Sequence, residues 1–147
     1  MENNQAQKAL TLMRVALGVW FVWSALPKLH SAYLHDEMPM MLRYFAEQGA
    51  VPFYKNFLLW ASDHAAPFAY LTSWGEVVIG AALILGFGTR VACAMVILAC
   101  LNYFLATKNL GPAPIGLNFL CILLGMSLIL GEAGRYLSID SKVGKKL

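Results

Sequence analysis

Glu76 is the residue whose chemistry most needs an explanation. The run Trp74 to Arg90, WGEVVIGAALILGFGTR, sets it inside a hydrophobic stretch long enough to cross a bilayer. An ionised group in hydrocarbon costs about 2.5–3.5 kcal/mol even on the lenient insertion scale, so such residues face a bundle interior, pair with a base, or serve function. Two bases are candidates. On the first apolar segment Arg14, Gly18, Phe21, Ala25 and Lys28 fall at offsets of 0, 4, 7, 11 and 14, one stripe of a helix. Ser73, Glu76, Gly80 and Leu83 share a face on the second. Glycines between the charges let helix backbones approach closely, so the two stripes are natural partners. At 1.5 Å per residue, Glu76 falls about 12 Å below one boundary and Arg14 roughly 7 Å from the other, able to stretch inward. Arg14 is therefore the first expected partner and Lys28, which can snorkel outward, the second. Such a pair pins two helices together as readily as it performs chemistry.

These residues are positioned by a bundle. Of 147 residues 59% are hydrophobic and 13% charged, and mean hydropathy is +0.61; soluble domains carry about 25% charged residues. The composition specifies an all-α integral membrane protein, a four-transmembrane-helix bundle with helices at about 9–29, 68–87, 91–106 and 116–130, forming one domain over 1–147. MENNQAQK lacks the small-residue cleavage site of a signal peptide, so the first helix is expected to stay. An even number of crossings puts both termini on one side, with Lys8, Arg14, Arg90, Arg135, Lys142, Lys145 and Lys146; Lys28, Arg43, Lys55 and Lys108 lie on the other. The positive-inside rule then places both termini in the cytoplasm of a multi-pass protein of the plasma (inner) membrane.

The connection 30–67, external in this orientation, is too long to be structureless in a compact domain. Met38, Met41, Leu42 and Phe45 recur at helical spacing, as do Phe53, Phe57, Trp60 and Ala61. Two short amphipathic helices are expected, with Pro52 in the first turn of the second. The helical spacing and the cost of leaving these aromatics in water predict that the segment is ordered and packs over the outer mouth of the bundle.

Trp20 and Trp23 point away from the Arg14 stripe. Tryptophan prefers the headgroup level, yet Trp20 falls near mid-bilayer, which predicts contact with lipid tails, a partner subunit or a flat cofactor. The fourth helix carries a stripe of Asn118, Cys121, Gly125 and Glu132, and the third carries Asn102. Buried amides of this kind hydrogen-bond between helices, so Asn102 and Asn118 join Arg14, Lys28 and Glu76 in the expected buried polar network.

The absent chemistry is equally informative. His30, His35 and His64 all fall in the connection, so no spanning helix offers the imidazole that commonly holds a membrane haem. Cys93, Cys100 and Cys121 form no C-x-x-C pair; Cys93 and Cys100, two turns apart on one helix at about 10 Å, are beyond disulfide reach. Cys100 and Cys121 can approach across neighbouring helices, although buried cysteines commonly serve as small core residues. No P-loop, dinucleotide fingerprint or clustered metal-ligand motif is present, and a net charge of +3 explained by helix flanks does not imply nucleic-acid binding. The tail KVGKK suits anionic headgroups, or is a solvated end.

The first helix, LMRVALGVWFVWSALPKL, the segment GEVVIGAALILGFGTR and the closing GEAGRYLSID together resemble the DoxX/DoxD family of small four-helix membrane proteins. The connection FAEQGAVPFYKNFLLWASDHAAPFAYLTSWGE is most similar to the DoxD branch, the small subunit of thiosulfate:quinone oxidoreductases. The resemblance places Arg14, Lys28, Glu76, Arg90, Gly134, Arg135 and Asp140 at family motif positions. The gap between Arg135 and Ser138 is slightly longer than in the family. A histidine found in the first and third helices of some relatives is absent, with Ser24 or Ala25 and Asn102 in those regions. The resemblance implies an accessory subunit of a quinone-linked electron-transfer complex, not catalytic alone, with other membrane or membrane-associated subunits and lipid as partners and quinone as the candidate cofactor. The alternative is a non-catalytic structural subunit of a respiratory or photosynthetic complex contacting lipid or pigment. A solute or proton pathway through the Arg14–Glu76 region ranks below both.

Overall fold

The computed structural model describes residues 2–143, with side chains from residue 5 onward, so Lys145 and Lys146 of the basic tail lie outside the described residues. Among the described residues all regular structure is helical: α1 (Glu2–Ala25), α2 (Met38–Tyr44), α3 (Pro52–Asp63), α4 (Ala65–Leu85), α5 (Thr89–Thr107), α6 (Pro112–Leu130) and α7 (Ile139–Val143). Four of them, α1, α4, α5 and α6, are long and apolar enough to cross a membrane. Their ends follow local chemistry. Pro27 converts the end of the first span into a 3₁₀ turn, Leu26–Leu29. Pro112 opens α6 in its first turn, four residues before the expected start. Gly86, at φ +67°, ends α4 in the left-handed conformation that glycine adopts without a Cβ penalty.

The spans pack chiefly as two antiparallel pairs, α1 with α4 and α5 with α6; α4 touches α5 less extensively, and α1 meets α6 only sparsely. In the first pair, a Cβ on Gly18 would stand 2.7 Å from the Gly80 carbonyl, and one on Gly80 would stand 2.7 Å from the Gly18 carbonyl. This reciprocal contact realises the expected meeting of the two stripes and fixes their register. In the second pair, Gly125 lies against Ile97 and the Cys93 carbonyl. Leu17, Phe21, Ile79, Leu83, Val96 and Leu128 fill the core between the pairs.

The connection between α1 and α4 is a continuous helical cap. π-helical turns at Tyr33–Glu37 and Phe45–Gly49 flank α2, and α3 follows. Its buried face is built from Tyr33, Met38, Leu42, Ala46, Leu58 and Ala61 against Ala65 and Ala69 of α4 and Ala106 of α5. The aromatics depart from the sequence expectation. Phe53, Phe57 and Trp60 are exposed, while Leu58 and Ala61 make the inward contact. Small residues let α3 lie close to the bundle, whereas Phe57 and Trp60 form edge-to-face contacts with Phe68 on the outer surface. At a membrane boundary this aromatic face meets headgroups, which removes the cost that favoured packing it inward.

Candidate functional site

Glu76 sits in the half of the bundle nearer the cap, 5% exposed, with its carboxylate fully engaged. Lys28 Nζ lies 2.6 Å from both carboxylate oxygens. The Tyr103 hydroxyl donates to Oε1 at 2.7 Å and the Ser24 hydroxyl to Oε2 at 2.9 Å. Three side chains from three helical segments thus satisfy one buried charge, as hydrocarbon demands. The Ser73 hydroxyl, one turn before Glu76, lies 2.9 Å from the Lys28 carbonyl and tethers the 3₁₀ turn to α4. That turn brings Lys28 back over the carboxylate instead of releasing it outward. The cap closes above: burial first, then the charges of Glu76 and Glu37, pushes the Tyr33 phenol up to about 12.

Arg14 is not the partner of Glu76, contrary to the expected order. The Gly18–Gly80 crossing sets α1 so that Ser24 is level with Glu76, while Arg14, about 15 Å further along the helix from Ser24, is level with Gly86. Arg14 is completely buried there, donating from Nη1 to the Ala133 carbonyl and from Nη2 to the Leu137 carbonyl, both at 2.8 Å. It is a clasp for the chain leaving α6, where Glu132 and Leu137 have positive φ of 52° and 44°. Depth counted from the segment ends does not find the partner, because backbone approach at Gly18 and Gly80 sets the register of α1 on α4.

Two other members of the expected network lie elsewhere. Asn102 is exposed to the side, and its carbonyl accepts the Tyr54 hydroxyl of the cap. Asn118 is buried but donates to the Pro114 carbonyl of its own helix at 2.9 Å. Neither bonds Glu76. The sequence reading missed Ser24 as a ligand of the carboxylate and missed Tyr103 altogether. A signal was present for the tyrosine: Cys93, Val96, Cys100, Tyr103 and Thr107 form a stripe at helical spacing along α5.

The sparse contact between α1 and α6 leaves a cleft of about 230 Å³ that reaches the cluster from the side. Glu76, Lys28, Tyr103 and Ser24 give it a polar side, and Trp20, Phe21, Pro114 and Leu117 an apolar one. Cys100, Cys121 and Asn118 complete the wall. Trp20 and Trp23 are 47% and 70% exposed, facing outward at the bundle surface. A second cleft of about 180 Å³ between α4 and α5, with Thr72, Met95 and Asn102, touches Glu76 and Tyr103 from the other side.

The remaining motif residues gather at the end of the bundle away from the cap. Asp140 Oδ1 and Oδ2 accept the N–H groups of Gly88 and Thr89 at 2.8 Å each, capping α5 from 51 residues away. Partial burial acts to raise the Asp140 pKa, but these N–H bonds and the Arg14 charge outweigh it and hold the carboxyl below its ordinary value. Gly134 allows this closure, since a Cβ there would stand 3.0 Å from Asp140 Oδ2 and from Thr89 Oγ1. Arg90 and Arg135 both pair with Glu132, at 3.0 and 2.8 Å, on the wall of a cavity of about 480 Å³. Arg14, Gly134 and Asp140 therefore close this end of the bundle, apart from the cluster of Lys28, Glu76, Tyr103 and Ser24 near the cap.

No curated protein and no solved structure matches this chain. A family model described as DoxX matches residues 9–109. That span runs from residue 9, within α1, through α5 and includes the Lys28–Glu76–Tyr103 cluster and the cap above it; the chain belongs to the DoxX family of membrane proteins.

Proposed function

We propose that this protein is an accessory integral-membrane subunit of an electron-transfer complex, quinone-linked and of the DoxD, thiosulfate:quinone oxidoreductase type, that holds a quinone head in the α1/α6 cleft. The carrying observation is that the Lys28–Glu76–Tyr103 cluster lines a cleft whose other walls are largely apolar. A quinone presents two carbonyl acceptors and, once reduced, two hydroxyl donors on a ring attached to an apolar tail. Lys28 and Tyr103 supply donors, Glu76 supplies an acceptor, and Trp20 offers a face for the ring. Lateral entry suits a ligand that arrives through lipid. In this reading the electrons come from a partner subunit against the outward face of Trp20 and Trp23, and both termini lie in the cytoplasm of the plasma (inner) membrane, which the basic flanks support.

The test is purification in gentle detergent with mass spectrometry of co-purifying proteins and lipids, then thiosulfate-dependent quinone reduction by the recovered complex. Replacing Trp20 and Trp23 by leucine is expected to leave the bundle folded while weakening retention of partner and quinone. Full retention by the double variant, or quinone turnover with thiosulfate by the chain alone, would overturn the reading. The exposed tryptophans also favour the second reading, a structural subunit contacting lipid or pigment; bound pigment without quinone activity would establish it.

A further inference from the structure

The cavity of about 480 Å³ lies at the end of the bundle away from the Glu76 cluster. Thr89 and Arg90 at the start of α5, Leu128 near the end of α6, the turn 132–135, and Asp140 and Ser141 of α7 enclose it. Arg90 Nη2 and Arg135 Nη1 both reach Glu132, at 3.0 and 2.8 Å, so one carboxylate holds two guanidinium groups side by side. Each of these arginine side chains is 71% exposed, and a guanidinium carries five N–H donors, so most of their donors remain open. Two cations against one carboxylate leave a positive charge unanswered. Asp140 does not answer it, because its two oxygens accept the Gly88 and Thr89 amides at the positive end of α5. Thr89 in the same wall is 3% exposed, and its hydroxyl is buried without a hydrogen-bond partner. Arg135 also lines an adjoining cavity of about 500 Å³ with Lys142, which adds to the cationic side of the balance.

The surroundings have the polarity profile of a bilayer boundary. Arg90 is in the first turn of one membrane-spanning helix and Glu132 follows the last turn of another, while their neighbours Val91 and Leu130 expose apolar side chains. We propose that this cavity binds the phosphate of an anionic membrane phospholipid between Arg90 and Arg135, with the acyl chains along the lipid-facing surface of α5 and α6. Arginine forks match phosphate oxygens, and basic recesses at the ends of spanning helices suit such headgroups. A phosphodiester supplies the one negative charge that the arginine pair lacks; a phosphatidylcholine brings its own cation and does not. The site stands or falls separately from the quinone reading.

The experiment titrates the full chain in dodecyl maltoside micelles with equimolar dioleoylphosphatidylglycerol and dioleoylphosphatidylcholine, and counts retained lipids by native mass spectrometry. The expected result is one phosphatidylglycerol held in preference to phosphatidylcholine. Arg90→Gln and Arg135→Gln are each expected to weaken its retention about fivefold, the value of one basic residue at a headgroup. Lys8→Gln removes the same charge from an exposed position at the same end of the bundle and is expected to keep the preference. Elution of each variant as a monodisperse species shows that it is folded, and the preference of the native chain tests the site whichever way the variants elute. Equal retention of the two lipids by the native chain would overturn the proposal. So would a loss in Lys8→Gln equal to that in the arginine variants, which would mean diffuse charge attraction, and so would displacement of the lipid by an equal concentration of glycerol 3-phosphate, which would make the ligand a soluble phosphate.

Discussion

At the scale of residues, a half-buried lysine and a completely buried arginine do different work. Lys28 neutralises a carboxylate, whereas Arg14 takes up two backbone carbonyls of the chain that follows α6. Removing one member of a buried ion pair typically costs about 3–5 kcal/mol, while replacing both by apolar groups is often neutral. Lys28→Met is therefore expected to reduce folded yield severely, and Lys28→Met combined with Glu76→Leu to recover much of it, measured by fluorescence-detected gel filtration. Equal yields for the single and double variants would show that the pair is not a coupled unit. Hydrogen bonds from a charged donor contribute about 1.5–3 kcal/mol each. Arg14→Lys retains the charge but has one nitrogen for two carbonyls, so it is expected to lower the thermal midpoint clearly; an unchanged midpoint would argue against the clasp.

At the scale of elements, the close approach of α1 and α4 is what sets Ser24 beside Glu76. Gly80→Val places a side chain against the Gly18 carbonyl and the Val22 amide, and is expected to prevent that pairing. Gly75→Ala has nothing within 4 Å of the added carbon and is expected to be neutral or slightly stabilising, as alanine favours helix. Comparable losses from both would remove the argument from register. The cap that Asp140 places on α5 has a pH signature. Because its folded pKa lies below the ordinary value, its contribution is fully present above the unfolded pKa and is lost as pH falls through the lower folded one. Tryptic-site exposure at Arg135 cannot be read at such acidity, so amide exchange of residues 86–92, corrected for intrinsic rates, is the measure. The native chain is expected to loosen there below about pH 4, and Asp140→Asn to be loose and insensitive to pH across the same window.

At the scale of the whole molecule, two helix pairs share a core and leave one seam sparsely closed, between α1 and α6. The cap covers the bundle end near that seam's polar cluster, and Val51 and Asn109 backbone amides join the cap to the α5–α6 connection through Leu105 and Gly49 carbonyls, at 3.0 and 2.9 Å. Such tertiary hydrogen bonds slow exchange and proteolysis. Residues 30–67 are therefore expected to resist protease in sealed vesicles that present the cap outward. Rapid cleavage between Leu42 and Ala61 would show that the cap is not held to the bundle.

The sequence by itself determined the membrane class, the four spans, a helical connection and the opposed stripes of α1 and α4. These are properties of one segment at a time: hydropathy summed over a crossing, and 3.6-residue periodicity. It also marked Glu76 as a buried charge that must be answered, since the cost of leaving it unpaired does not depend on the fold. Which base answers it was decided by tertiary structure. The Gly18–Gly80 backbone contact sets the helix register, and Pro27 bends Lys28 back, so Lys28 reaches the carboxylate and Arg14 closes the opposite end. The entry of Tyr103 into the cluster belongs to tertiary structure as well. Contacts across helices depend on rotation and register between them, and those are fixed only when every face is packed at once.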